Sequence, residues 1–273
     1  MNNYIKLVNF EVKRFLKLFL VLVTAIVASQ ITGAIISSFS FLNRVETRMK
    51  QEQITESEYI LRYDAYSLNN FINSELFALS IMFAATVLLI YVFFIWYRDW
   101  LGKSSFIYRL LMLPTERRNV YFAKLTAILL FVLFIVGVEV VLLEVIEQIM
   151  RWIVPESLRI DGVITYYSFD VLDIIYPQTL FQFVLIYGLG ITLVAIVFTA
   201  ILFERSYHLK GIFLAGLYMV ISGTVMLAPI IIRSNTNYFY NEEIILMMVL
   251  CSILAFVAAI FTANYLLKRK INV

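Results

Sequence analysis

Six long apolar runs dominate the chain, at roughly 18–42, 74–97, 123–145, 179–203, 212–232 and 244–267. Each reaches the length of about 20 residues that a helix needs to cross a hydrocarbon core. The runs are continuous and show no two-residue alternation, so they do not read as barrel strands. The pattern therefore predicts an all-α membrane protein, a single domain over 1–273 with six transmembrane helices. The first run is longer than a signal-peptide core and lacks a small-residue cleavage site, so an uncleaved anchor is expected. Ahead of it, Ile5, Val8, Val12, Phe15 and Phe19 recur at three- and four-residue spacing, with Lys6, Asn9, Lys13 and Lys17 on the other faces. That periodicity predicts an amphipathic elbow helix over 2–17 on the inner leaflet; a charged flank with incidental periodicity is the alternative. Two connections, roughly 43–73 and 146–178, are long enough to hold short helices. In the first, Tyr59, Tyr63 and Tyr66 suggest an interfacial aromatic surface.

Composition narrows the class. Of the 273 residues 62% are hydrophobic and 15% charged, against about 25% charged in a soluble domain. A soluble enzyme, a disordered tail and a nucleic-acid-binding module are all excluded as readings. Cys251 is the single cysteine and His208 the single histidine. Neither an internal disulfide nor a clustered metal site is expected from them.

Charge then orients the spans. Of the 22 Lys and Arg, fifteen fall in the N-terminal segment, the second and fourth connections and the C-terminal tail. Only four of the 19 acids accompany them: Glu11, Asp99, Glu116 and Glu204. The small net charge of +3 is thus a polarised +11 on one side and −8 on the other. Positively charged loops stay in the cytoplasm, so both termini are expected there.

Six of those cations lie in Arg98–Lys124, which also holds the apolar set Phe106, Ile107, Leu110, Leu111 and Leu113. The combination predicts a short cytoplasmic helix, around 104–113, that packs an apolar face and presents arginines to a partner; the plain alternative is a basic loop. Pro114 ends it. Thr115 is placed to cap the next helix, with Glu116 at its positive end.

A span, then Tyr97-Arg98-Asp99, then Leu111-Met112-Leu113-Pro114-Thr115-Glu116-Arg117, then Ala123-Lys124 opening the next span resembles the ABC-2-type permeases. These are the membrane subunits of ATP-binding cassette transporters. The resemblance extends to topology: six spans, cytoplasmic termini, an elbow helix and a coupling helix between spans two and three. It implies a multi-pass protein of a plasma membrane, of bacterial type, working as an exporter subunit and not itself an enzyme. A separate ATPase would carry ATP and magnesium, and a second permease, identical or paralogous, would complete the unit within membrane lipid. It also implies that Arg98, Asp99, Lys103, Phe106, Ile107, Arg109, Leu110, Leu113, Pro114, Glu116 and Arg117 dock and couple to that ATPase. The family's re-entrant hairpin before the last span has little room in the short connection 233–243. By analogy the substrate would be an amphipathic or antimicrobial peptide, or a lipid-like drug. The rival reading is a non-transporting membrane sensor or scaffold that recruits a cytoplasmic protein through the same basic segment.

Gly102-Lys103-Ser104 is not a phosphate-binding loop, because Tyr97 stands where the motif needs its first glycine. Within the spans, a carboxylate is costly and so a functional candidate. Glu139 is the deepest, a pathway residue for cationic groups or an inter-helix hydrogen-bonding carboxyl; Gln182 and Asn264 join it as candidate pathway residues. Glu144 and Glu147 read as outer-interface residues, with Glu147 placed to pair with Arg151 at i, i+4. Ala255, Ala259 and Ala263 form a small-residue stripe for close helix packing, within the chain or across a dimer. No arrangement for intramembrane hydrolysis is evident.

Overall fold

The computed structural model describes residues 2–63, 65–101, 106–161, 177, 179–235 and 239–271. It is helical, and among the described residues no strand forms; an isolated bridge joins Tyr66 to Arg159. The helices are α1 (Asn2–Glu52), α2 (Glu56–Arg62), α3 (Leu68–Ile72), α4 (Glu75–Trp100), α5 (Phe106–Leu111), α6 (Arg117–Ile153), α7 (Leu180–Asn235) and α8 (Asn241–Arg269). Among the described residues six helical segments are long and apolar enough to cross a membrane, one for each expected run.

Two of them extend furthest beyond the apolar runs. Helix α1 continues without a break from the expected elbow through the first span and into the polar stretch ending at Glu52. Helix α6 continues past the expected end at 145 to Ile153. Polar flanks can extend a helix when i, i+4 ion pairs support them: Glu46–Lys50 at 3.6 Å in α1 and Glu147–Arg151 at 2.6 Å in α6, the latter as expected.

The chain divides into two compact units. One comprises Met1–Arg14, Leu89–Leu130 and Tyr176–Val273; the other, Phe15–Leu88 and Phe131–Ile175.

In the second unit, α1 buries Phe15, Phe19, Leu22, Ile26, Gln30, Ala34, Ser38, Phe41 and Val45 at helical spacing. Phe15 and Phe19 meet Phe131 of α6 with ring centroids 5.1 and 4.5 Å apart. Helices α2 and α3 do occupy the first long connection. Two of the three tyrosines there turn inward, Tyr59 and Tyr66 being buried, whereas Tyr63 is half-exposed and donates its hydroxyl to Glu52 at 2.6 Å. Tyr66 packs on Phe41 at 4.7 Å and donates its hydroxyl to Ser37 at 2.8 Å. With its polar tip satisfied, the ring gains more from burial than from an interface. Of the second long connection, 162–176 and 178 lie outside the described residues.

In the first unit, Trp96 sits at the centre, 5.6 Å from Phe198 and 6.3 Å from Tyr121. The alanine stripe of α8 is buried within the chain, where Thr199 donates to the Ala259 carbonyl at 3.1 Å. Small side chains allow that backbone approach.

Although α7 is helical throughout, it is not one rod. The rings of Phe203 and Tyr218 meet at a tilt with centroids 5.4 Å apart, whereas fifteen residues of straight helix would separate them by about 22 Å. The backbone therefore reverses within 204–211, and Leu180–Tyr207 and Leu209–Ser234 are the two arms of a helical hairpin. Gly211 is the residue that permits it. A β-carbon there would overlap the Phe203 carbonyl and lie 2.8 Å from two atoms of Glu204.

Candidate functional site

The first unit contains a buried cluster of five charges. Lys124, in the first turns of α6, is completely buried, as is Asp99 near the end of α4, and Glu11 of α1 is nearly so. The Lys124 ammonium donates to Asp99 at 2.5 Å, to Glu11 at 2.7 Å and to the Ile95 carbonyl at 3.0 Å. All three of its protons are thereby used, the arrangement a buried ammonium needs. Arg14 donates to the other Asp99 oxygen at 2.7 Å, and Arg98 to the other Glu11 oxygen at 2.9 Å. Three cations surround two carboxylates, and each carboxylate oxygen accepts one charge-assisted bond.

The cluster also holds α5. The Arg14 guanidinium lies 5.0 Å from the Phe10 ring centroid and 5.0 Å from that of Phe106, and the two rings stack at 5.8 Å. Helix α5 buries Ile107, Leu110 and Leu111 beneath it. Its other face carries Tyr108 and Arg109 outward, followed by Met112 and Leu113, all exposed. Beside it an apolar groove of about 360 Å³ is lined by Leu7, Phe10, Phe106, Leu110, Leu113 and Pro114, with Lys6 at its edge.

The residues expected to dock a partner therefore separate into groups. Arg109 and Leu113 are exposed, and Pro114 and Phe106 line the groove. Ile107 and Leu110 are the buried face of α5, and Arg98 and Asp99 are tied into the charge cluster. Arg117 is also turned inward: its guanidinium donates to the carbonyls of Leu267 at 2.7 Å and Ile271 at 2.9 Å, closing the C-terminal end of α8. Orphan carbonyls at a helix C-terminus are a natural partner for a cation. Glu116 is exposed and paired with Arg118. Helix α6 begins at Arg117, two residues after Thr115, whose hydroxyl accepts from the Asn119 side chain at 2.7 Å. Lys103, with Gly102 and Ser104, lies outside the described residues.

Glu11, Arg14 and Lys124 were not legible as one site. The buried face of the N-terminal segment runs through Leu7, Glu11, Phe15 and Phe19, not through Ile5, which is exposed. The helix rotates toward Lys124 because a carboxylate leaves water only when it is paired. Glu11 lying four residues from both Leu7 and Phe15 was the available signal.

Of the candidate pathway residues, Glu139 belongs to the second unit, buried, with both carboxyl oxygens accepting from the Gln30 amide at 2.9 and 3.0 Å. The same amide nitrogen is 2.8 Å from Ser80. Gln182 lies at the exposed start of α7, where it accepts from the Thr179 backbone amide at 3.2 Å, a helix-start role. Asn264 lines a groove of about 290 Å³ with Tyr121 and Phe261, its side-chain oxygen buried without a partner. Gln182 and Asn264 belong to the first unit, where Gln182 is not among the residues lining the Asn264 groove, and Glu139 belongs to the second. Among the described residues, no group of three or more His, Cys, Asp or Glu side chains is arranged to hold a metal ion.

Set against protein-family models, curated proteins and solved structures, the chain matches none of them.

Proposed function

We propose that this chain is the permease subunit of an ATP-driven exporter, docking a separate ATPase through the outward face of α5. The observation that carries the reading is the two-sidedness of α5. One face is fixed to the protein interior by Ile107, Leu110 and the Arg14–Phe106 contact. The other offers Tyr108, Arg109, Met112 and Leu113. A push on that face reaches α1, α4 and α6 together, because Glu11, Asp99 and Lys124 come one from each helix. The residue motif shared with ABC-2-type permeases and the six apolar helices support the same reading.

In this mechanism the partner binds ATP and magnesium, closes, and displaces α5; the charge cluster passes the displacement to the three helices. Coupling of this kind needs an element with two discrete arrangements. The excess of Lys and Arg in the N-terminal segment, the α4–α6 connection and the tail supports a cytoplasmic side for those parts, in the plasma membrane of a cell of bacterial type. A second permease completes the unit, and the substrate is hydrophobic or amphipathic, a peptide or a lipid-like drug.

The test is co-purification with an ATP-binding cassette ATPase, which this reading expects to be encoded beside this chain. Arg109→Glu combined with Leu113→Asp, both exposed, is expected to reduce recovery at least about ten-fold, since each removes a contact worth about 1 kcal/mol or more. Unchanged recovery and unchanged ATP hydrolysis would refute docking through α5. Recovery of a partner without nucleotide hydrolysis would instead favour a scaffold.

A further inference from the structure

A cavity of about 570 Å³ in the first unit lies where the α7 hairpin turns, beside the end of α4, α5 and the chain following α8. Its walls include Arg205 and Lys270, together with Trp100, Tyr108, Ser206 and Glu204. Its two cations outnumber its one carboxylate, so the wall carries net positive charge.

The electrostatics agree. The cavity's carboxylate, Glu204, accepts the Tyr97 hydroxyl and stands 3.8 Å from Arg205, too far for a hydrogen bond. Arg205 is held in place by the rings of Tyr97 at 4.7 Å and Trp100 at 5.9 Å, and the Lys270 ammonium lies 5.4 Å from the Tyr207 ring. Lys210, Lys268 and Arg269 add positive charge along the same segments. Two cations against one carboxylate suit an anion with several acceptor oxygens better than a single water. Leu209 and Ile212, exposed on the same wall, and exposed Phe213 beside them give an apolar surface next to the polar one.

We propose that this cavity binds a phosphate group: that of an anionic phospholipid at the membrane surface, or free phosphate. Basic pockets between spans at the cytoplasmic face are a recurrent way of holding anionic headgroups. The site uses none of the outward residues of α5 that carry the docking assignment except Tyr108, so it stands or falls separately.

Native mass spectrometry of the full chain in uncharged detergent tests it, with phosphatidylglycerol and phosphatidylcholine offered in competition. Wild type is expected to retain one phosphatidylglycerol per chain in preference to phosphatidylcholine. Arg205→Gln and Lys270→Gln should each lower occupancy roughly five-fold, and Lys210→Gln, outside the cavity, should not. Inorganic phosphate forms the second arm: a saturable rise in Tm in wild type, lost in Lys270→Gln, without lipid retention, assigns the site to free phosphate. Lys270 is exposed, so its variant keeps the test meaningful should Arg205→Gln fail to fold. Equal lipid occupancy and equal phosphate response in wild type and Lys270→Gln would overturn the proposal.

Discussion

Lys124 places an ammonium where no atom of its residue reaches solvent. Such a charge persists only because Glu11, Asp99 and the Ile95 carbonyl replace its water. Asp99→Asn would leave three cations facing one carboxylate, and removing one partner of a buried pair costs about 3–5 kcal/mol. Lys124→Met is milder, since Arg14 and Arg98 still neutralise the two carboxylates and the apolar stem is retained. The expected order in thermal unfolding in detergent is wild type, then Lys124→Met, then Asp99→Asn. The double variant should lose less than the sum, by about 0.5–3 kcal/mol of coupling. Strict additivity would mean that the two groups do not share one network. Little of this was readable from the residues alone. A count by side treats Glu11, Asp99 and Lys124 as loop charges, because charge bookkeeping has no term for which face of a helix a residue occupies.

At the scale of elements the reading from sequence went further, since continuous apolar runs fix the existence of spans without reference to tertiary contacts. The six helices appear where the runs lie. Their ends were less legible, because polar flanks such as 43–52 stay helical once a span has nucleated them. The turn between spans four and five is visible in the sequence as a short polar connection, but its tightness and the part Gly211 plays in it are not. Its role makes a definite expectation. Gly211→Ala needs room where the Phe203 carbonyl and Glu204 backbone already lie, so the arms must separate. Backbone shifts of this kind cost about 1–3 kcal/mol. Gly216→Ala, with open space at its β-carbon, should be neutral or slightly stabilising through helix propensity. Comparing the two variants by unfolding temperature checks the hairpin; equal effects would argue against the close crossing.

For the molecule as a whole, the polarised charge acquires a more specific meaning. Of the fifteen cations on the positive side, Arg14, Arg98 and Lys124 are structural, Arg117 closes a helix end, and Arg205 and Lys270 line a cavity. Arg109 is among those left facing outward, beside Met112 and Leu113. If transport is driven through α5, its attachment should matter independently of its docking face. Phe106 is the attachment: its ring shares the Arg14 guanidinium with Phe10. Phe106→Leu keeps most of the apolar volume while removing the cation–π contacts of its ring with Arg14 and Arg109, each of about 0.5–2 kcal/mol. The variant is expected to fold and to co-purify with the ATPase at near wild-type yield, since Tyr108, Met112 and Leu113 are untouched and Arg109, although it loses its own contact with the Phe106 ring at 5.3 Å, keeps its charge on the exposed face. Its substrate-stimulated ATP hydrolysis should nevertheless fall several-fold relative to the basal rate, because a loosened α5 absorbs the displacement that the charge cluster would otherwise receive. The discriminating quantity is the ratio of stimulated to basal hydrolysis in the reconstituted complex. A ratio equal to wild type, with assembly intact, would show that the stacked Phe10–Arg14–Phe106 contact is packing alone and that force enters the spans by another route.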